Sequence, residues 1–276
     1  MRIVVTGSKG QLGTALQARL TSADLLPLDL PEFDITDAAA VRRTLEAFQP
    51  DVVIHAAALT NVDQCELEPE LAYRVNALGT QNVALACQRL GATMLYVSTD
   101  YVFDGTKGAP YVEYDPPAPL SVYARSKLAG EWATQTFAPR FYIVRTAWLY
   151  ARGGRNFVET VLRLARERGA LTMVTDEAGS PTYAPDLAEA ISRLLLTEQY
   201  GIYHLTNSGV ASRYDWAKEI LRLAGLGHVP VTPSQGYKRP APVPRQVELR
   251  NLCGASLGIV MRPWQEALRD YFEVAT

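Results

Sequence analysis

The sequence is poor in cysteine and histidine, and it carries no block of like charge. Three cysteines, Cys65, Cys87 and Cys253, occur in 276 residues. They are odd in number, far apart and without a CxxC pair, which argues against a disulfide framework or a thiolate zinc site and for a reducing, cytoplasmic setting. His55, His204 and His228 fall in separate segments and make no ligand cluster, so no metal is assigned. The net charge of −2 is dispersed, without the basic footprint that a nucleic-acid partner requires. No stretch approaches the ~20 apolar residues of a membrane span, and the opening MRIVVTGSKG is too short an apolar run for a signal peptide. A soluble, intracellular protein with no membrane partner is expected. Internal repeats and low-complexity tracts are also lacking.

What is present is an ordinary globular composition, 48% hydrophobic and 20% charged, enough for one large core or two modest ones. In the first half, short β-branched runs alternate with longer helical patterns, as in a parallel sheet covered by helices on both faces. Strands are predicted at RIVVT, DLLPLD, DVVIHAA, TMLYVST and FYIVRTAWLY, with a long helix from Glu68 to Leu90. Beyond Arg152 the regularity weakens to helices near Phe157–Arg168, Pro185–Thr197 and Tyr214–Leu223 and a strand GIYHLTN. The expected fold is α/β, a Rossmann-type doubly wound parallel sheet over residues 1–150 followed by a smaller C-terminal unit over residues 151–276. The strand near residues 201–207 is open to returning to the first sheet. The proline-rich segments Pro116–Pro119 and Pro240–Pro244 read as loops.

The loop Gly7-Ser8-Lys9-Gly10-Gln11-Leu12-Gly13 follows the first strand directly and opens a helix. Glycine permits the tight turn, lets backbone N–H groups approach a pyrophosphate and allows close strand–helix packing, while the helix N-terminus attracts an anion. Asp29 ends the second strand, where an acid accepts hydrogen bonds from adenosine ribose hydroxyls or is merely a solvated strand-end carboxylate. With no arginine near it to welcome a 2′-phosphate, NADH is preferred over NADPH. Asp34 and Ile35 follow, either close to the adenine or, for Asp34, capping a helix.

Tyr123 and Lys127 stand at i and i+4, one turn apart on a helix face. An ordinary tyrosine, with a pKa near ~10, exchanges protons too slowly at neutral pH, and a neighbouring ammonium stabilises its phenolate. Such a phenol can protonate the oxygen left when hydride reaches a ketone. Ser98 and Thr99 end the fourth predicted strand, and alternation directs only one of the two hydroxyls into the crevice.

These three features in this order resemble the extended short-chain dehydrogenase/reductases. Ala57–Glu66 (AALTNVDQCE), VNALGT, STDYVFDG, RTAWLYA and GSPTYAPDLA are similar to the dTDP-4-dehydrorhamnose reductase branch over nearly the whole chain. The resemblance implies a Rossmann-type sheet with a C-terminal substrate-binding domain. It implies Tyr123 as acid, Lys127 as modulator and nicotinamide-ribose ligand, and Thr99 in place of the serine common elsewhere. It places Asp100 and Trp148 beside the substrate, although a core aromatic at a strand end is an equal reading for Trp148. Beside the cofactor, NADH or NADPH, it places Gly10, Gln11, Leu12, Asp29, Asp34, Ile35, Ala58, Leu59 and Thr60. The implied partner is a nucleotide-linked 4-keto sugar, with dTDP-4-dehydro-6-deoxy-L-mannose preferred and a homodimer left open. A nucleotide-sugar epimerase or dehydratase, and a binding subunit of the methionine adenosyltransferase type, are the alternatives. The segment Arg239–Leu249 departs from the branch's RPxxS-type pattern, leaving Arg239 or Arg245 to be placed near phosphate. Asp63 and Glu66 are expected as surface carboxylates.

Overall fold

The computed structural model describes residues 1–273. Five strands, β1 (Arg2–Thr6), β2 (Asp24–Leu28), β3 (Val52–His55), β4 (Thr93–Thr99) and β5 (Arg140–Thr146), come first. Between them lie α1 (Gln11–Arg19), α2 (Ala38–Phe48), α3 (Val62–Leu67), α4 (Pro69–Tyr73), α5 (Thr80–Leu90) and α6 (Val122–Phe137). Short strands β6 (Leu149–Tyr150), β7 (Leu171–Val174), β8 (Ala178–Gly179) and β9 (Thr182–Tyr183) follow, with α7 (Phe157–Arg168) and α8 (Ala184–Leu195). Then come β10 (Gly201–His204), β11 (Ala211–Ser212), α9 (Arg213–Leu223), β12 (Val231–Ser234), β13 (Gln246–Val247), α10 (Cys253–Ser256) and α11 (Trp264–Glu273).

The six strands of the main sheet run in the order β2-β1-β3-β4-β5-β10, every pair parallel, giving the expected Rossmann-type architecture. Residues of the inner strands β1, β3, β4 and β5 are mostly buried on both faces, which is why these strands read as continuous apolar runs. Ile3, Val5, Ile54, Leu95 and Val144 pack with Leu12 and Leu16 of α1 and Leu187, Ile191 and Leu194 of α8. Their neighbours Val4, Val53, Met94 and Ile143 pack with Val41 and Leu45 of α2 and Val83 and Cys87 of α5. The strand order reverses beside β1, and a sheet of this kind opens its ligand crevice there, outside the carboxyl ends of the strands.

Three segments differ from the sequence expectation. The helix predicted from Glu68 to Leu90 is built as α4, a π-helical turn at Arg74–Gly79 and α5. A wide turn of this sort leaves the apolar spacing nearly unchanged and so is invisible to periodicity. The run FYIVRTAWLY is not one strand. It breaks after Thr146 at Trp148, whose φ is +43°, and resumes as β6, which pairs with β9 instead of the main sheet. Both pieces are apolar, so the pattern does not mark the change of partner. GIYHLTN is strand only over Gly201–His204, and it pairs with β5.

A second core gathers Tyr150, Val158, Leu162, Trp216, Ile220, Trp264 and Leu268 from β6, α7, α9 and α11. His55 is held by Thr6 Oγ1 at 2.7 Å and Thr80 Oγ1 at 3.2 Å, and burial pushes it down to about 3. Burial pushes His204 down to about 3 as well, so both serve as neutral packing groups. Among the described residues no helix is long and apolar enough to cross a membrane.

Helix α6 is docked on the sheet by a buried polar network. Glu131 accepts from Arg145 Nε at 2.9 Å, from Arg145 Nη2 at 2.8 Å and from Ser98 Oγ at 2.6 Å. The ionic side chains are 1% and 3% exposed. Removing one member leaves an uncompensated buried charge, which costs several kcal/mol. Glu131→Ala is therefore expected to lose ~3–5 kcal/mol in chemical denaturation, and Glu131→Gln less because it retains hydrogen bonds. A loss below ~1 kcal/mol in Glu131→Ala would show that water relieves the stranded Arg145.

Candidate active site

One crevice of about 1130 Å³ runs along the carboxyl ends of the strands, from the glycine loop to Trp148. Gly7 takes a φ of +71° at the end of β1, and a Cβ there would stand 2.7 Å from Ala57 N. A Cβ on Gly13 would stand 2.2 Å from Gly7 O, so this glycine lets the first turn of α1 pack against the loop. Gly10 is the N-cap of α1 and offers no side-chain cap, which leaves the first N–H groups of the helix for an anion in the crevice. Gln11 has a second task, because its Oε1 accepts from Ala151 N–H at 2.7 Å and Asn156 Nδ2 at 2.9 Å. It thereby ties the glycine loop to the segment after β6.

Asp29, Asp34, Ile35, Ala58, Thr60, Leu12 and Gly13 also line the crevice. The helix-capping alternative for Asp34 is not realised. Asp37 caps α2, accepting from Ala39 and Ala40 N–H, while Asp34 accepts from Thr36 N–H within its own loop. Leu59 does not line the crevice; its side chain packs with Cys65, Ala72 and Val122. Its backbone is clamped by Asn76, which accepts from Leu59 N–H at 2.8 Å and donates to Leu59 O at 3.1 Å. Asn76 also donates to Ser126 Oγ at 3.0 Å, joining this wall to α6.

Tyr123 and Lys127 lie on the first turns of α6, capped by the Ser121 hydroxyl. Lys127 is 3% exposed, donates to Val97 O at 2.7 Å and lies 4.2 Å from the Tyr96 ring centroid. Burial brings its ammonium down to about 7, and Glu131 four residues on resists that shift. Tyr123 is raised above the ordinary phenol value by burial, opposed by a hydrogen bond with Thr99. A phenol lowered by its lysine was expected; in this arrangement desolvation dominates. The raised phenol keeps its proton at neutral pH and stands beside a hydroxyl that faces the same crevice. Ser98, one residue earlier, also borders the crevice, but its hydroxyl is committed to Glu131. The Thr99 hydroxyl is the one of the two beside the Tyr123 phenol, and it also accepts from Tyr101 N–H at 3.2 Å.

Over residues 1–276 the chain matches the RmlD substrate binding domain family. The chain belongs to that family. It is 44% identical to a dTDP-4-dehydrorhamnose reductase of Mycobacterium tuberculosis, over 97% of this chain and 91% of the relative. A spore coat polysaccharide biosynthesis protein of Bacillus subtilis is 41% identical, over 99% and 97% of the two chains. Among solved structures, a dTDP-4-dehydrorhamnose reductase of Bacillus anthracis in complex with NADP superposes with a TM-score of 0.96 at 39% identity, covering 99% of each chain.

In this family member Trp148, at the far end of the crevice, is backed by residues that the sequence did not single out. Arg213, at the start of α9, lies 3.5 Å from the Trp148 ring centroid and 3.8 Å from Glu177 Oε2. Trp148 lines the crevice and also stacks on Trp216 at 5.6 Å, so it is both wall and core. Gly179 admits the ring, since a Cβ there would stand 2.7 Å from Trp148 Cε2. No spacing in the sequence links Arg213 to Trp148, 65 positions away. Asp63 is not a free surface carboxylate. It accepts from Arg239 Nε at 3.0 Å and Ala241 N–H at 3.2 Å, closing the proline-rich loop over α3, and Glu66 accepts from Val122 N–H at the start of α6. Arg245 pairs with Asp176 at 3.5 Å and is largely exposed. Among the described residues no group of acidic, histidine and cysteine side chains is placed to hold a metal ion.

Asp100 is buried beside Thr99, and burial raises its carboxyl from 3.8 to about 7 against the opposing Thr99 hydrogen bond and Arg213 charge. A carboxyl with a folded value above its unfolded one contributes stability that is complete below pH 3.8 and is lost as pH rises through about 7. Asp100→Asn removes this dependence. Between about pH 4 and pH 7 the variant is expected to lose less stability than the native protein, read as the difference in urea midpoints across the range. Parallel curves would show that Asp100 is solvated and titrates normally.

Proposed function

We propose that the protein is an NAD(P)H-dependent reductase that converts dTDP-4-dehydro-6-deoxy-L-mannose to dTDP-L-rhamnose at C4. The observation that carries this reading is the convergence of Thr99 and Tyr123 on a crevice whose opposite end is a glycine cradle open to a pyrophosphate. The close agreement with reductase relatives over the full chain supports it.

The cradle fits a dinucleotide, because Gly7 and Gly13 hold the loop where side chains would collide and Gly10 leaves the α1 terminus uncapped. Gly7, Gly10, Gln11, Leu12 and Gly13 would hold the pyrophosphate end, Asp29 the adenosine ribose, Asp34 and Ile35 the adenine, and Ala58 to Thr60 the intervening wall. Leu59 contributes to that wall through its clamped backbone. The nicotinamide, when bound, supplies the hydride. Tyr123 donates the phenolic proton to the carbonyl oxygen as that oxygen gains charge, and the phenolate is reprotonated from solvent. Thr99 stabilises the same oxygen by hydrogen bonding. Lys127, one turn along α6, stabilises the transient phenolate and reaches the nicotinamide ribose. Asp100 and Trp148 border the sugar, and residues 151–276 supply most of the substrate side. With Asp29 at the ribose, NADH is slightly preferred.

Purified protein is expected to oxidise NADH or NADPH stoichiometrically with the 4-keto sugar. Turnover without net cofactor oxidation would support an epimerase instead. Tyr123→Phe is expected to lower kcat by ~10²–10⁴ with cofactor affinity nearly unchanged. Thr99→Val should lower kcat by roughly 10². Ser98→Ala should cost stability through Glu131 with a smaller kinetic effect. A larger kinetic loss in Ser98→Ala than in Thr99→Val would reassign the hydroxyl, and full turnover in Tyr123→Phe would sink the mechanism.

A further inference from the structure

Lys127 is a cation in surroundings that oppose its charge. Among the described residues its ammonium has one hydrogen bond, to Val97 O at 2.7 Å, although the side chain is almost wholly buried. The titratable groups around it are few. On α6, Tyr123 lies four residues before it and Glu131 four residues after, but Glu131 makes its hydrogen bonds to Arg145 of β5 and Ser98 of β4. Arg145 is itself a like charge, answered by Glu131. From β3 comes His55, which burial and the Lys127 charge together keep neutral. From β4 comes Tyr96, whose ring centroid is 4.2 Å from the ammonium.

Tyr96 is fully buried and meets Lys127 twice. Its ring face lies against the ammonium, and the negative face of an aromatic ring attracts a cation most strongly where water is excluded. Its hydroxyl donates to Lys127 O at 3.2 Å, on the backbone of the same residue. Gly130 makes that second contact possible. A Cβ at this position would stand 2.3 Å from the Tyr96 hydroxyl, so a glycine that weakens the interior of α6 is what lets the phenol reach the helix backbone. His55 stacks on the same ring at 5.7 Å and, being neutral, adds no repulsion toward the ammonium. With the ring and Val97 O holding Lys127, its remaining N–H groups are left for the crevice that it lines.

We propose that Tyr96 is a positioning residue for Lys127, its ring keeping the ammonium charged and aimed at the crevice while its hydroxyl fixes the turn of α6 that carries the side chain. Burial brings the ammonium down to about 7, with Glu131 opposing, so the charge is present below that value and is lost as pH rises through it. Any interaction that favours the cation moves this limit upward, into the range where the enzyme needs the charge beside Tyr123. The importance of that charge for turnover rests on the reductase reading; the contact between Tyr96 and Lys127 does not.

The test follows Lys127 directly, in purified full-length protein with lysine isotopically labelled at Cε, its resonance assigned by its loss in Lys127→Met and titrated by NMR. Tyr96→Leu removes the ring and is expected to lower the Lys127 midpoint by about one pH unit. Tyr96→Phe keeps the ring and should leave the midpoint close to the native one. A trifluorinated phenylalanine at the same position keeps the shape but drains the ring face, and should bring the midpoint most of the way to that of Tyr96→Leu. This last comparison decides the matter even if Tyr96→Leu does not fold. Equal midpoints for the phenylalanine and its fluorinated form overturn the proposal, as does a native midpoint in a folded Tyr96→Leu. The alkaline limb of kcat/KM for cofactor oxidation should move down with the midpoint. If the midpoints separate as expected and no 4-keto sugar supports oxidation of either cofactor, the role of Tyr96 stands and the reductase reading fails.

Discussion

The geometry of the crevice depends on the ion pair between Glu131 and Arg145. Tyr123, Lys127 and Glu131 recur every four residues along α6, so the turn that meets the sheet through Glu131 sets how far along β4 the other two reach. Arg145 is the register partner of Ser98 across β4 and β5, and Glu131 bonds both. A buried pair of this kind contributes little net stability, because desolvation offsets most of the attraction. Its value here is directional. An apolar contact would hold α6 on the sheet nearly as well, yet would permit small slides and rotations that a bidentate guanidinium–carboxylate bond resists. With the Ser98 hydroxyl committed to Glu131, the hydroxyl beside the Tyr123 phenol is that of Thr99.

Around that anchor, polar ties add direction to the apolar packing that lines the crevice. Asn76, on the π-helical turn, fixes the wall at Leu59 and reaches Ser126 between the two catalytic candidates. Gln11 fixes the glycine loop to the start of the second core. Arg213 lies over Trp148, with Trp216 stacked on the same ring, at a backbone position that only a few residues adopt readily. Each tie joins segments far apart in the sequence, where hydrogen bonds specify position more sharply than packing does.

The electrostatics of the site follow from the same burial. Desolvation brings Lys127 down and both Asp100 and Tyr123 up, so the crevice holds its potential proton carriers close to their neutral forms. Low dielectric strengthens every hydrogen bond directed at a developing oxyanion, and it is the setting in which a phenol can release a proton only when charge appears beside it.

The sheet, the glycine loop and the Tyr123–Lys127 pair are legible in the sequence because each depends on neighbours in the chain. Period-two alternation, a strand followed at once by glycines, and an i,i+4 spacing are local facts, and local steric rules carry them into three dimensions. The break at Trp148, the π-helical turn and the retreat of Leu59 from the crevice are not legible, since each leaves the apolar pattern intact while changing which surface a residue meets. Asp63, Arg213 and Lys9 show the same limit for charge. Whether a charged side chain is solvated, clamps a loop or faces a crevice depends on partners 176, 65 or 23 positions away, and no periodicity connects them. The sequence by itself determined the fold class and the order of the chemical groups. Only the tertiary structure decided which partners the Ser98 and Thr99 hydroxyls meet and which charges are paired, because those outcomes belong to distances across the chain that burial and geometry set together.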